Sequence, residues 1–193
     1  MFDYQEGATS IDEDEKQELL IPHISTREEL NEWEQRNITD AYNWLNRTRK
    51  KDVLNEDFIR KLHKEMFGKV WGWAGTYRRT DKNIGVDWAQ IPIRFRQLLE
   101  DVRFWIDNKT YSSDEIATRF HHRLVQIHLF PNGNGRHARI MTDVLLEKVL
   151  DQESFSWGSA SVLEESDIRR AYIQALRSAD ENDYRLLIEF MRS

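Results

Sequence analysis

Ile116, Phe120, Leu124 and Ile127 recur at intervals of four, four and three residues, and the run then breaks at Pro131, Gly133 and Gly135. That spacing is the buried stripe of an α-helix. Proline lacks the amide hydrogen a helix needs, and closely spaced glycines leave the backbone too free to prolong one. A second helical pattern resumes at about Gly135, with Ile140, Val144, Leu145 and Val149 directed inward. Helix, tight glycine-rich turn and helix therefore form the spine of the expected fold.

Further helices are predicted around it. Ser25 or Thr26 caps a run with Leu30, Trp33, Ile38, Ala41 and Leu45 on one face, and Glu28 and Glu29 favour its positive end. Asn55 caps a second, ending at Gly68. Pro92 opens a third, in which Phe95, Leu98, Leu99, Val102, Phe104, Trp105 and Ile106 read as core. Two more helices fill the tail, over about 164–178 and 183–191. The exception is a Trp- and Gly-rich stretch without helical period, in which Thr80 to Ile91 is the best β-hairpin candidate. The expected fold class is all-α with one inserted β-hairpin. Residues 1–20, which hold seven acids against Lys16, read as a flexible acidic lead-in to a single helical domain over 21–193.

The chain has no cysteine, which removes disulfides, thiolate metal sites and a cysteine nucleophile, and fits a reducing cytoplasm. The net charge of −6 weighs against a nucleic-acid binder, so Arg47, Arg49, Lys50 and Lys51 are taken as a solvated helix end. The first residues lack the basic and apolar regions of a secretion signal, and no stretch is apolar enough to cross a membrane.

The chemistry concentrates between His128 and Arg139. Successive amides of a Gly-Asn-Gly turn, followed at once by a helix N-terminus, make a concave donor set for anions, phosphate above all. Arg136 and Arg139 add two guanidinium groups in the first helical turn, where positive charge opposes the helix dipole unless an anion sits between them. His128, just before the turn, is a candidate general base. Asn132 offers an amide oxygen that could ligate Mg²⁺. Taken singly, each feature has an ordinary structural explanation; the combination over twelve residues does not.

The segment His-Leu-Phe-Pro-Asn-Gly-Asn-Gly-Arg-His-Ala-Arg resembles the signature of the Fic family, H-x-F-x-D/E-G-N-G-R-x-x-R, through His128, Phe130, Gly133, Asn134, Gly135, Arg136 and Arg139. The resemblance extends over about 55–190, and NIGVDW with HLFPNGNGRHAR is similar to the bacterial subgroup called mobile mystery protein B. It implies a mainly helical fold and a cytoplasmic enzyme that moves AMP from ATP, with Mg²⁺, onto a Tyr, Thr or Ser hydroxyl of a target protein. By that resemblance His128 is the base, Gly133, Asn134 and Gly135 form the anion hole, Arg136 holds the phosphate chain, and Arg139 engages the γ-phosphate. Lys82, Asn83, Ile84, Gly85 and Val86 correspond to a flap that aligns the target by strand addition, with Ile84 and Val86 pressing on it.

Asn132 stands where the family has a carboxylate, and a neutral amide is a weaker ligand for a hard cation. The family's inhibitory pattern, S/T-x-x-x-E-G/N, has no full match: Ser25 to Leu30, with Glu29, comes nearest, ahead of Thr9 to Asp14 and Ser161 to Ser166. An antitoxin or inhibitor on a separate chain and a homodimer remain open partners. Two alternatives also stand beside AMP transfer: transfer of another phosphate-containing group by the same loop, and a nucleotide-binding regulatory module of weak activity.

Overall fold

A computed structural model describes residues 11–48, 52–159 and 165–193, and eight α-helices organise them. In chain order these are α1 (Glu13–Lys16), α2 (Arg27–Arg47), α3 (Glu56–Phe67), α4 (Ile91–Asp107), α5 (Ser113–Ile127), α6 (Asn134–Lys148), α7 (Glu165–Asp180) and α8 (Arg185–Arg192). The starts follow from their caps. Thr26 and Glu29 form a reciprocal capping box on α2, Asn55 accepts from the Phe58 amide (2.9 Å) on α3, and Ser112 caps α5.

Helix α5 is the central post. It packs against α4, α6 and α8, while α3 packs against α2 and α6. Phe58, Phe67, Phe95, Phe120 and Phe130 are fully buried in the main core. Burying each such ring stabilises the fold by roughly 1.5–3 kcal/mol. A smaller cluster containing Ala117, Leu146, Leu187 and Met191 seals α8 against α5 and α6.

Three expectations are corrected. Trp33 is not in the stripe of α2 but 37% exposed, and Glu34 is buried in its place. Phe104 is 59% exposed on the outer face of α4. The inserted β-hairpin is also absent: among the described residues 79–90 form an irregular loop and a short 3₁₀ turn, Trp88–Gln90. The reason is that side chains satisfy backbone groups which a strand ladder would otherwise pair. The Arg78 side chain donates to the carbonyls of Thr80 (2.8 Å) and Val86, and Asp81 Oδ1 accepts from the Trp88 amide (3.0 Å).

Residues 1–10 and 49–51, including most of the basic cluster, lie outside the described residues, as do Thr9 and residues 160–164 of the two weaker inhibitory matches. Residues 11–20, expected to belong to a flexible lead-in, are tied to the domain. Ile11 is buried, Leu20 N–H donates to Val70 O (2.9 Å), and Gly72 N–H donates to Glu18 O (2.9 Å). The acids of this segment also hold the irregular loop. Lys82, with a side chain 1% exposed, donates to Asp12 (2.7 Å) and Glu15 (2.7 Å), so their charge is matched rather than solvated.

Candidate functional site

Helix α5 ends at His128, whose backbone is left-handed (φ 57°, ψ 66°). The turn swings Leu129 and Phe130 into the core, and α6 starts after Gly133 (φ 77°). A Cβ on Gly133 would stand 2.6 Å from the Phe67 ring, so both backbone angle and space require glycine there. At Gly135 a Cβ would meet nothing within 4 Å, because that position faces open space.

The first helical hydrogen bond of α6 runs from His137 N–H to Gly133 O (2.9 Å). By helix geometry the amides of Asn134, Gly135 and Arg136 before it are the end donors of the helix. The turn is braced from inside. Asn134 Oδ1 accepts from Phe130 N–H (2.9 Å) and its Nδ2 donates to Phe130 O (2.7 Å). His63 bonds to Asn132 O through Nε2 (3.0 Å) while its Nδ1 accepts from Gly75 N–H (3.0 Å), which fixes the neutral tautomer. Two expected anion donors are thus changed. The Asn134 side chain is turned inward, leaving its backbone to face a ligand, and Gly133 N–H is already spent on Asn132 Oδ1 (2.7 Å).

His128 is 3% exposed and lines a groove of about 1950 Å³ together with residues 132–136, Arg139 and residues 84–86. Burial, followed by the nearby charges of Arg78 and Lys82, pushes its imidazole down to about 4, against a backbone hydrogen bond to Val125. It is therefore a neutral proton acceptor at pH 7. Gly85 (φ 107°) crosses directly above it: a Cβ there would lie 2.7 Å from the Cβ of His128 and 2.7 Å from an Arg78 nitrogen. Arg78 rivets the layers together. Its side chain is 0% exposed and donates from Nε to His128 O (2.7 Å), besides its bonds to the loop. Of the two expected target-facing side chains, Ile84 is exposed at 41%, whereas Val86 is half-buried against the core.

The arginines are held differently. Arg136 Nη1 pairs with Glu34 Oε2 (2.7 Å), a carboxylate 5% exposed that also accepts from Trp71 Nε1 (2.7 Å). The Arg139 guanidinium stacks over Tyr172 (4.8 Å) and Trp157 (5.5 Å). The Tyr172 hydroxyl meets His121 Nε2 at 2.8 Å, and burial pushes it up to about 12. Asp143 accepts from Trp157 Nε1 (3.0 Å) and is raised to about 6 by burial. His137 faces Ile59 O (2.9 Å) and His122 faces Asp180 (2.8 Å).

The sequence profile of the Fic/DOC family matches residues 53–146, a stretch that contains the whole turn. Residues 53–146 thus match the Fic/DOC family. Protein adenylyltransferase Fic of Aedes aegypti is 26% identical over 157 residues, which is 78% of this chain and 30% of that protein. The protein of the same name from Nematostella vectensis is 26% identical over 160 residues, 80% of this chain and 36% of its own length. The chain thus spans about a third of the length of these curated relatives. Among solved structures, the BepC protein of Bartonella tribocorum with bound AMPPNP superposes with a TM-score of 0.68 at 18% identity, over 88% of this chain and 87% of that one. The N-terminal FIC domain of Bep8 from Bartonella sp. 1-1C gives 0.69 at 16% identity, over 88% and 86%. The Fic/DOC fold is therefore shared across most of the described chain.

At this turn Mg²⁺ would meet a weaker protein ligand than a carboxylate. Asn132 brings a neutral amide whose oxygen already accepts from Gly133 N–H, and among the described residues no group of three His, Cys, Asp or Glu could hold a metal. Nor does Glu29 reach the arginines. Its carboxylate accepts from Ser25 N–H (2.9 Å) and Thr26 N–H (3.1 Å) and serves as a cap. Glu34, Arg78, Trp157 and His63 were not legible as site residues. Only Glu34 left a trace, standing one position off the apolar stripe.

The two glycines have opposite expected costs. Gly133→Val adds left-handed strain of roughly 1–2 kcal/mol and overpacking of roughly 1–3 kcal/mol, which urea titration will read as a large fall in midpoint. Gly135→Ala will leave that midpoint nearly unchanged, because its methyl meets no atom within 4 Å. Equal stability loss in both variants contradicts this assignment.

Proposed function

We propose that this chain transfers the AMP moiety of ATP to a Tyr, Thr or Ser hydroxyl of a protein target. The observation that carries the reading is a neutral imidazole, His128, lining one groove with a helix N-terminus and two arginines. The amides at the start of α6, with Arg136 and Arg139, bind the phosphate chain. The target hydroxyl oxygen attacks the α-phosphorus as His128 takes its proton. The bond from the α-phosphorus to the bridging oxygen then breaks, and pyrophosphate leaves. The loop at 82–86 lies over the imidazole and orients the target segment. The AMPPNP held by BepC and the name shared by the curated relatives support a nucleoside triphosphate as donor.

ATP labelled at the α- or the γ-phosphate tests this when incubated with the protein and a cell lysate. Label entering protein from the α position alone supports adenylyl transfer, whereas label from the γ position points to phosphoryl transfer. A second reading, a nucleotide-binding module of weak activity, is favoured by the ion pair that already occupies Arg136. It predicts ATP binding by calorimetry with no label incorporated.

Asn132→Asp is expected to leave transfer equal or raise it a few-fold, and to lower the Mg²⁺ concentration needed, since a carboxylate is the stronger ligand for a hard cation. A tenfold loss of initial rate refutes this account of the position.

A further inference from the structure

The groove carries a charge that the proposed nucleotide does not use up. Among the described residues, eight arginines and one acid, Asp180, line it, while Glu34, Asp101 and Asp167 pair with Arg136, Arg123 and Arg170 from behind, so a formal surplus of +4 remains inside a chain whose net charge is −6. Everything else therefore holds −10. Arg136 and Arg139 belong to the phosphate cradle, but six further arginines from α2, α4, α5 and α7 face the same space. At about 1950 Å³ the groove is roughly twice the upper end of ordinary small-molecule sites, so a nucleotide leaves much of it vacant.

The position of the surplus follows from the chemistry. In-line displacement requires the attacking hydroxyl to approach from the side opposite the departing diphosphate. The diphosphate lies toward the start of α6, so the target approaches by way of the loop at 84–86 and the helices next to it. There Arg94, in the first turn of α4, is exposed, and Arg123, in the last turns of α5, is held by Asp101 (2.5 Å). His122, next to Arg123, bonds Asp180 on α7 (2.8 Å), which places exposed Arg177 within one turn of the same end.

We infer that the target segment is acidic, and that Arg94, Arg123 and Arg177 receive its carboxylates while the loop at 84–86 holds its backbone. The inference rests on the adenylyl-transfer reading for its geometry and names the class of substrate. An acidic polypeptide fits better than single-stranded RNA, because such RNA sites stack bases on several exposed aromatic rings, whereas among the described residues lining the groove Tyr172 is the one Phe, Tyr or Trp and the His122 and His128 rings are buried. The repulsion from a net negative chain is screened beyond about 8–10 Å at physiological salt, so the local arginines dominate at contact.

The test uses three fluorescein-labelled peptides of equal length and identical Ser, Thr and Tyr content, with acidic, neutral or basic residues elsewhere, and reads anisotropy in the presence of AMPPNP. The acidic peptide is expected to bind at least tenfold tighter than the others and to weaken steeply with salt. Arg94→Glu with Arg177→Glu, both at exposed positions, should cost tenfold or more and leave AMPPNP affinity unchanged; Arg123→Gln should give a smaller loss in the same direction. Equal binding of the three peptides overturns the inference, as does an unaltered affinity in the double variant or displacement of the acidic peptide by single-stranded RNA at lower concentration. Self-labelling from α-labelled ATP separates the two levels. Self-labelling without acidic preference leaves the transfer reading standing and removes this one, whereas acidic binding without any α-label transfer overturns the transfer reading and leaves the groove a binding site for acidic peptide rather than a substrate site.

Discussion

His128→Ala will abolish α-label transfer, by a factor of roughly 10²–10⁴, while ATP affinity changes little. General-base catalysis by a positioned side chain contributes on that order, and the expected phosphate contacts come from α6, not from the imidazole. The pH profile sharpens the expectation. With its imidazole pushed down to about 4, His128 stays unprotonated through the neutral range, so transfer by the wild type should be flat from pH 8 to about 5.5 as far as this base is concerned. A rate that falls with a midpoint near 6.5 contradicts a buried neutral base, and retained transfer in the alanine variant removes His128 from the reaction. The variant should fold. Although His128 adopts a left-handed backbone, Arg78 bonds to its carbonyl rather than to its ring.

Mild acid should destabilise this protein severely. Four histidines are buried and neutral: burial pushes His121 down to about 3, His128 and His137 to about 4, and His63 well below its ordinary value. The unfolded chain takes up protons as pH falls through about 6.5, whereas the folded chain does not until about 4. Folded pKa values below unfolded ones mean that stability is complete above about 6.5 and is lost as pH falls toward 4. For His121, His128 and His137 a displacement of two and a half to three and a half pKa steps corresponds to roughly 3–5 kcal/mol per group as an upper bound. Three such groups are comparable with the whole stability of a domain, about 5–15 kcal/mol, and His63 acts in the same direction. His63 makes the case without any titration argument, because protonating Nδ1 would set its N–H against the N–H of Gly75. Asp143, raised to about 6, acts in the opposite sense, one group against four. The thermal midpoint should drop by at least about 10 °C between pH 7 and pH 5. A flat midpoint across that interval, or ring resonances of these histidines titrating near 6.5, sinks the argument.

Much of this was legible in the sequence because it depends on near neighbours. The stripe of α5, the break at Pro131 and the caps at Thr26, Asn55 and Ser112 are local signals, and the structure places helices where they point. What failed depends on distant partners. Nothing around Arg78 tells that its guanidinium will reach carbonyls up to 50 residues away and replace a strand ladder. Glu34 reads as one more surface acid until the fold brings Arg136 and Trp71 to it from 102 and 37 residues away. The acids at 12 and 15 are a parallel case, since their cation, Lys82, lies on the far side of two helices in the chain. The turn was recognised by residue type, but type did not tell backbone from side chain: Asn134 serves the site with its amide and the scaffold with its carboxamide.

The loop at 79–90 is fastened by individual side chains rather than by a row of cooperative backbone bonds, and this gives it a degree of independence from the helices below. A strand inserted in a ladder cannot be lengthened or re-registered without upsetting its neighbour. A loop held by Arg78 at the carbonyls of Thr80 and Val86 can exchange exposed residues such as Ile84, though not Gly85, while α5 and α6 stay where they are. Under the proposed adenylyl transfer, such an arrangement would separate the part that chooses a partner from the part that performs the chemistry, so the choice could drift through substitution while the reaction is inherited intact.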